Sequence, residues 1–220
     1  FWTMIVNEGE LLERWGIEHD PKECHYPALR TFAALADASK GRSLLGYVKA
    51  DVDHLGLAYA QGLRRQSGLS YDTASHQAML SRQMDWFFSG YVQHLLSQDD
   101  SYQNFYTIFS GGDDLFLVGP WDQAAALARE IYERFRAFVG ENPELTLSAG
   151  ILFTKDRYPI SRAAEDAERE MERSKETAWK DGKGNRDQIT VLGDTFRWKD
   201  ADGILRETEK LEGWLDEMSS

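Results

Sequence analysis

The stretch NFYTIFSGGDDLFLVG (residues 104–119) holds two apolar runs on either side of two glycines and two acids. The runs have the composition of β-strands, which we expect at 104–110 and 114–119. Gly111 and Gly112 predict a two-residue hairpin turn in which both positions can need positive φ. Such a hairpin presents Asp113 and Asp114 at its tip, beside backbone that a ligand can approach closely because no Cβ stands in the way.

A second stretch, KADVDHLG (49–56), begins within an apolar run over 44–53 that predicts another strand. Alternation along a strand puts Asp51 and Asp53 on one face and Val52 on the other. Asp113 and Asp114 instead point to opposite faces, and Asp113, nearer the turn, is the better candidate for a direct ligand.

If the first strand and the hairpin are neighbours, both acid pairs meet at one end of the sheet. Carboxylates placed in this way repel one another and are costly to desolvate, so a hard divalent cation is expected between them. The candidate metal ligands are the four aspartates 51, 53, 113 and 114, with the carbonyl of Val52. From the residues alone, the alternatives are a solvated surface turn and an acid that caps the following helix.

Phosphate contacts are predicted near these acids. His54, Leu55 and Gly56 begin a helix expected over 54–65, and free N–H groups at that point can hold a triphosphate. Lys175, near the end of a helix expected over 159–179, is a candidate phosphate contact or a solvated charge. Lys49 shares the strand face of Asp51, where it either balances the acids or extends to solvent.

The predicted elements follow the order β, α, α, β, β, α, β, α, β from residue 44. This order indicates an α+β fold, layered in the manner of α/β proteins, with helices on one face of a mixed sheet around a ferredoxin-like βαββαβ core. The remaining predicted helices span 26–39, 70–98, 121–140 and 201–218, and the remaining strands 145–154 and 188–193.

Composition narrows the function classes. The net charge of −12 makes the chain a poor long-range attractor for nucleic acid and favours small-molecule phosphate chemistry. Cys24 is the only cysteine, which is typical of a reducing cytoplasm, and no apolar run is long enough to cross a membrane. The chain begins with Phe1 and has no signal pattern, so we expect a piece of a longer protein.

The ordered segments resemble the polymerase palm of the large subunit of type III CRISPR effector complexes, in its A-type branch. The resemblance covers roughly residues 30–215. The topology that it implies is also similar to that of GGDEF diguanylate cyclases. It is carried by KADVDHLG, SRQMDWFFSGY (81–91), FSGGDDLFLVGPW (109–121), LTLSAGIL (145–152) and PISRAAEDAEREMERSK (159–175).

The resemblance implies an enzyme of the prokaryotic cytoplasm that uses ATP and two Mg²⁺ or Mn²⁺ ions. It would join a 3′-hydroxyl to an α-phosphate with loss of pyrophosphate, giving cyclic oligoadenylate messengers of antiviral defence. Asp51, Asp113 and Asp114 then carry the catalytic metal role, and Lys175 matches a phosphate-contacting lysine of the cyclases. Contacts with the nucleotide are also implied for the serines and glycines Ser81, Ser110, Gly111 and Gly112.

Two departures from the related proteins stand out. His54 is found where the family usually has Asn. The RxxD motif of diguanylate cyclases does not precede the hairpin, which lowers the expectation of GTP. The resemblance further implies a second palm as partner, together with other effector subunits and guide RNA, and no membrane.

The predicted organisation is an N-terminal helical extension over 1–40, the palm over 41–195, and a C-terminal helix over 196–220 that leads to a following domain. Two alternatives to oligoadenylate synthesis stay open. One is a stand-alone palm that makes a cyclic dinucleotide as a homodimer, and the other is a palm that binds nucleotide without catalysis.

Overall fold

The sheet is the element that positions every residue of interest. The computed structural model describes residues 31–59, 73–178, 185–201 and 203. It has six strands, which in chain order are β1 Leu45–Val52, β2 Tyr106–Gly111, β3 Asp114–Pro120, β4 Leu147–Thr154, β5 Gln188–Val191 and β6 Asp194–Arg197. Their lateral order is β2-β3-β1-β4-β5-β6.

The pairing of the strands confirms the predicted fold class. Strand β1 is antiparallel to both β3 and β4, and β2 and β3 form the hairpin. With a helical connection before β2 and another before β4, the order β2-β3-β1-β4 is that of a βαββαβ core. Strand β5 adds parallel to β4, and β6 closes the sheet antiparallel to β5.

Helices connect these strands within the described ranges. The single helix predicted over 70–98 is found, in its described part, as two α-helices separated by a π-helical turn. The predicted helices over 26–39 and 54–65 lie partly, and the one over 201–218 almost wholly, outside the described residues. The helices are α1 Phe32–Asp37, α2 Leu55–Leu57, α3 Ala74–Asp85, the π-helical turn Trp86–Tyr91, α4 Val92–Gln98, α5 Trp121–Phe138 and α6 Ile160–Glu176.

The prediction that helices cover only one face of the sheet is wrong. On one face, Val48 and Ala50 of β1 share a core with Leu127 and Phe135 of α5. On the other face, a second core includes Tyr47, Phe116 of β3, and Ala163 and Ala167 of α6. The first four residues of β1 are all buried, a pattern typical of a strand covered on both sides.

Helix α6 packs unusually close to β4. A Cβ on Gly150 would collide with the backbone nitrogen of Met171, so only glycine allows the helix backbone to lie this near. Lys175 follows Met171 by one helical turn and is therefore held over the end of β1 where Asp51 lies.

None of the helices described here combines the length and the apolar composition that a membrane span requires.

Candidate functional site

Asp51 and Asp114 face each other at the end of the sheet. They are directly opposite in the β1–β3 ladder, where Cβ atoms are about 5 Å apart. Their side chains are 23% and 35% exposed. Burial raises the pKa of both carboxyl groups, and the nearby charge of Asp113 raises each further. Two adjoining carboxylates are thus held where ionisation is costly without a cation.

The turn of the hairpin differs from the prediction by one residue. Gly111 is the last residue of β2 and pairs with Asp114, so the two turn residues are Gly112 and Asp113. Only Gly112 of these has positive φ, at 65°, which is the pattern of a type II′ turn. An irregularity between Thr107 and Phe109 shifts the register of β2, and the apolar pattern gave no sign of it.

This register decides which acid of the pair faces Asp51. Asp114 is the strand residue on the face covered by α6, whereas Asp113 lies in the turn. Asp113 is near enough to raise the pKa of Asp51, and its carbonyl accepts a hydrogen bond of 3.1 Å from the Val52 N–H. The geometry therefore favours Asp114 over Asp113 as the direct neighbour of Asp51.

Each of the facing carboxylates has a lysine beside it. Lys175 Nζ lies 2.6 Å from Asp51 Oδ2 and 3.3 Å from Glu172 Oε1. Burial lowers the pKa of Lys175, but the hydrogen bond to Asp51 and the charges of Asp51 and Glu172 outweigh this, and the pKa is raised overall. Lys49 Nζ lies 3.9 Å from Asp114 Oδ2 and forms an ion pair with Glu168. Both lysines are therefore charged partners of the acids.

The carboxylates also fit a divalent cation. Across the described ranges, no group of three or more His, Cys, Asp or Glu side chains is arranged as a metal site. However, Asp114 Oδ1 is buried and has no hydrogen-bond partner. A buried acceptor without a donor costs about 1–3 kcal/mol, which a cation in front of it would offset. Carboxylate oxygens are the ligands that Mg²⁺ and Mn²⁺ prefer.

Asp53 differs from the other predicted metal ligands. The chain leaves β1 after Val52, so strand alternation no longer applies at Asp53, whose side chain is fully buried. Both carboxyl oxygens already accept hydrogen bonds in this structure, so its role as a metal ligand stays a prediction. The donors are Thr146 Oγ1 at 2.8 Å, Ser148 Oγ at 2.9 Å, Arg186 Nη1 at 3.2 Å and the Asp187 N–H at 3.1 Å.

The segment after the acids is only partly described. His54 has φ of 59° and begins α2, of which Leu55–Leu57 are helical. That single turn gives no independent support to phosphate binding by the N–H groups of His54, Leu55 and Gly56. This contact, and the carbonyl of Val52 as a metal ligand, stay predictions.

A clamp on the hairpin was missed by the sequence analysis. Asp85 Oδ1 accepts hydrogen bonds from the Gly112 N–H at 3.2 Å and from Ser89 Oγ at 2.9 Å. Ser110 Oγ donates to the Phe88 carbonyl at 2.6 Å, so this hydroxyl anchors the hairpin to the π-helical turn. Such turns are frequent at functional sites because they interrupt the regular helical ladder.

A signal for this clamp was present in the sequence. Ser81, Asp85 and Ser89 are spaced by four residues, which places them on one helix face. Ser81 is exposed, one turn before Asp85. The prediction that Ser81 contacts a base or ribose stays open, and the face it occupies does reach the hairpin through Asp85.

We expect Asp85→Ala to loosen the hairpin. The change leaves the Gly112 N–H and the Ser89 hydroxyl without their acceptor, so the free energy of unfolding should fall by about 1 kcal/mol and nucleotide binding should weaken. Urea denaturation and nucleotide titration measure the two effects. Gln83→Ala, an exposed change on the same helix, is the control. Equal behaviour of the two variants would contradict the clamp.

Comparison with known proteins shows the family of the chain. The family model of the second palm domain of Cas10/Cmr2 matches residues 44–189. A curated relative from Methanocaldococcus jannaschii, the CRISPR system single-strand-specific deoxyribonuclease Cas10/Csm1 of subtype III-A, is 33% identical over 231 residues. That alignment covers 90% of this chain and 28% of the relative, so the chain spans less than a third of that protein.

Solved structures show the same likeness. A Csm1–Csm4 cassette in complex with one ATP is 29% identical, with a TM-score of 0.65, and the match covers 82% of this chain and 26% of that chain. A Csm1–Csm4 cassette in complex with cA4 is 28% identical, with a TM-score of 0.67, and the match covers 85% of this chain and 27% of that chain. Because the family match includes both acid pairs and most of the described sheet, the chain belongs to the Cas10/Cmr2 second palm domain family, with type III-A Csm1 proteins among its relatives.

Proposed function

We propose that this palm binds ATP together with two Mg²⁺ or Mn²⁺ ions and joins a 3′-hydroxyl to an α-phosphate, with release of pyrophosphate. The products would be cyclic oligoadenylates. The observation that carries the proposal is the facing pair Asp51 and Asp114, with one buried carboxyl oxygen left unpartnered. Related cassettes that hold ATP or cA4 support adenine nucleotides as the ligands.

The residues of the chain have separate tasks in this reaction. Asp51 and Asp114 would hold the cations, with Asp113 at the turn beside them. When bound, two divalent cations lower the cost of forming the attacking alkoxide and of releasing pyrophosphate. Lys175 would exchange its contact with Asp51 for the triphosphate, since its raised pKa keeps it charged near neutral pH. Asp85 and Ser110 keep the hairpin in place against the helices.

The proposal requires a second nucleotide site. A bond between two nucleotides forms only when both are held in mutual reach, and one palm supplies one set of carboxylates. We propose that a second palm faces this one, within a larger Csm1-type protein of the prokaryotic cytoplasm that assembles with other effector subunits and guide RNA.

The test is pyrophosphate release by the chain, alone and within a complete type III-A effector complex. We expect release from ATP with Mn²⁺ to exceed release from GTP by at least about tenfold, and cyclic oligoadenylates to be found by chromatography and mass spectrometry. A preference for GTP would refute the proposal. A cyclic dinucleotide as the sole product would favour the homodimer, and ATP binding without pyrophosphate release would favour a non-catalytic palm.

A further inference from the structure

We propose that Lys49 is a counter-charge residue of the candidate site. Held by Glu168, it offsets part of the charge of Asp114 in the absence of nucleotide and so opposes the binding of a divalent cation alone. The inference rests on the proposed function, because it assumes that cations bind between Asp51 and Asp114.

Lys49 is built into the site by the sheet. It precedes Asp51 by two residues on β1 and lies on the same face, opposite Phe116 in β3 and Gly150 in β4. Its side chain is only 16% exposed, and its Nζ lies 5.8 Å from the centroid of the Phe116 ring. A lysine enclosed in this way has few positions available, so its charge stays near Asp114 rather than extending into solvent.

Two carboxylates compete for this one ammonium group. Lys49 Nζ is in close contact with Glu168 and 3.9 Å from Asp114 Oδ2. Glu168 therefore holds the charge beside Asp114 without letting it close onto that carboxylate. The other oxygen of that carboxylate, Asp114 Oδ1, is buried and unpartnered.

Lys49 and Lys175 are each paired with a glutamate of α6. Glu168 and Glu172 are four residues apart and thus on one face of α6, and each contacts one of the two lysines. The difference lies in the backbone that carries the lysine. Lys175 is on the helix, whereas Lys49 is on the same strand as Asp51 and is fixed to the sheet beside Asp114.

The consequence is a coupling between cation and nucleotide. A fixed positive charge about 4 Å from Asp114 repels a divalent cation bound to that carboxylate, by an amount that corresponds to several-fold in affinity at an exposed site. A triphosphate adds negative charge that attracts both the cation and Lys49. Lys49 therefore disfavours the cation alone much more than the cation together with ATP.

The experiment is Mn²⁺ titration of Lys49→Met without nucleotide, followed by calorimetry or by the EPR signal of free Mn²⁺. We expect Mn²⁺ to bind about three- to tenfold more tightly than to the unchanged chain, and Lys49→Arg to keep the original affinity. In EDTA, the melting temperature of Lys49→Met should be lower than that of the unchanged chain. Mn²⁺ should raise the melting temperature of Lys49→Met by more than it raises that of the unchanged chain. Lys155→Met, an exposed change at the other end of β4, is the control.

A second variant keeps the inference testable if Lys49→Met does not fold. Among the residues that the structure describes, Glu168→Gln leaves Lys49 with Asp114 as its carboxylate partner, so Mn²⁺ should bind about three- to tenfold more weakly. Unchanged or weaker Mn²⁺ binding by Lys49→Met, or unchanged binding by Glu168→Gln, would overturn the role of Lys49. Failure of the unchanged chain to bind Mn²⁺, or binding that Asp114→Asn leaves intact, would instead refute the proposed metal site.

Discussion

We expect Asp114→Asn to lower pyrophosphate release from ATP by about a thousandfold, and Asp113→Asn by only about tenfold. The difference follows from the hairpin register, in which Asp114 is the residue opposite Asp51 and carries the unpartnered buried oxygen. Asn keeps the shape of the side chain but removes the negative charge that holds a cation. Asp113, in the turn, would act more through its charge than through direct coordination.

The measurement is the initial rate of Mn²⁺-dependent pyrophosphate release at saturating ATP, with circular dichroism to confirm that each variant is folded. Asp194→Asn, an exposed change at the start of β6 far across the sheet, should leave the rate unchanged. A larger loss for Asp113→Asn than for Asp114→Asn would show that the acid at the tip is the direct ligand. Full activity of both variants would end the metal assignment altogether.

The fold was largely predictable because its signals are local. The apolar run before Asp51, the Gly-Gly hairpin and the alternation of helices with strands give the βαββαβ order without knowledge of contacts. The coverage of both faces was missed, although the continuously apolar start of β1 is typical of a strand buried on both sides. The turn residues were wrong by one position, and the irregularity of β2 between Thr107 and Phe109 has no signature in composition.

The acids of the candidate site were readable from the sequence, but their surroundings were not. Short motifs mark Asp51 and Asp114, which the structure places opposite each other, whereas Asp85 was missed because its contact with Gly112 spans distant positions of the chain. Strand parity places Asp53 beside Asp51 but cannot show that donors already surround it. Burial and partners, which separate a structural carboxylate from a ligand, depend on tertiary contacts.

The free energy of unfolding should therefore respond very differently when Asp51 and when Asp53 is changed to Asn. Asp53→Asn places an amide N–H₂ against hydroxyl and backbone donors and removes the negative charge that pairs with Arg186, so we expect the free energy of unfolding to fall by about 3–5 kcal/mol. Asp51→Asn loses its ion pair with Lys175 but relieves the repulsion from Asp113 and Asp114, so stability should change by no more than about 1 kcal/mol.

Urea denaturation without metal measures this contrast, and pyrophosphate release adds an independent comparison. Asp51→Asn should be folded and inactive, whereas Asp53→Asn should be destabilised, with Mn²⁺ affinity retained under conditions where it is folded. Ser148→Ala, which removes one donor to Asp53 and no carboxylate, should reproduce part of the destabilisation, about 1–2 kcal/mol. If Asp53→Asn instead keeps full stability and loses Mn²⁺ binding, Asp53 is a metal ligand and its hydrogen bonds rearrange when the cation binds.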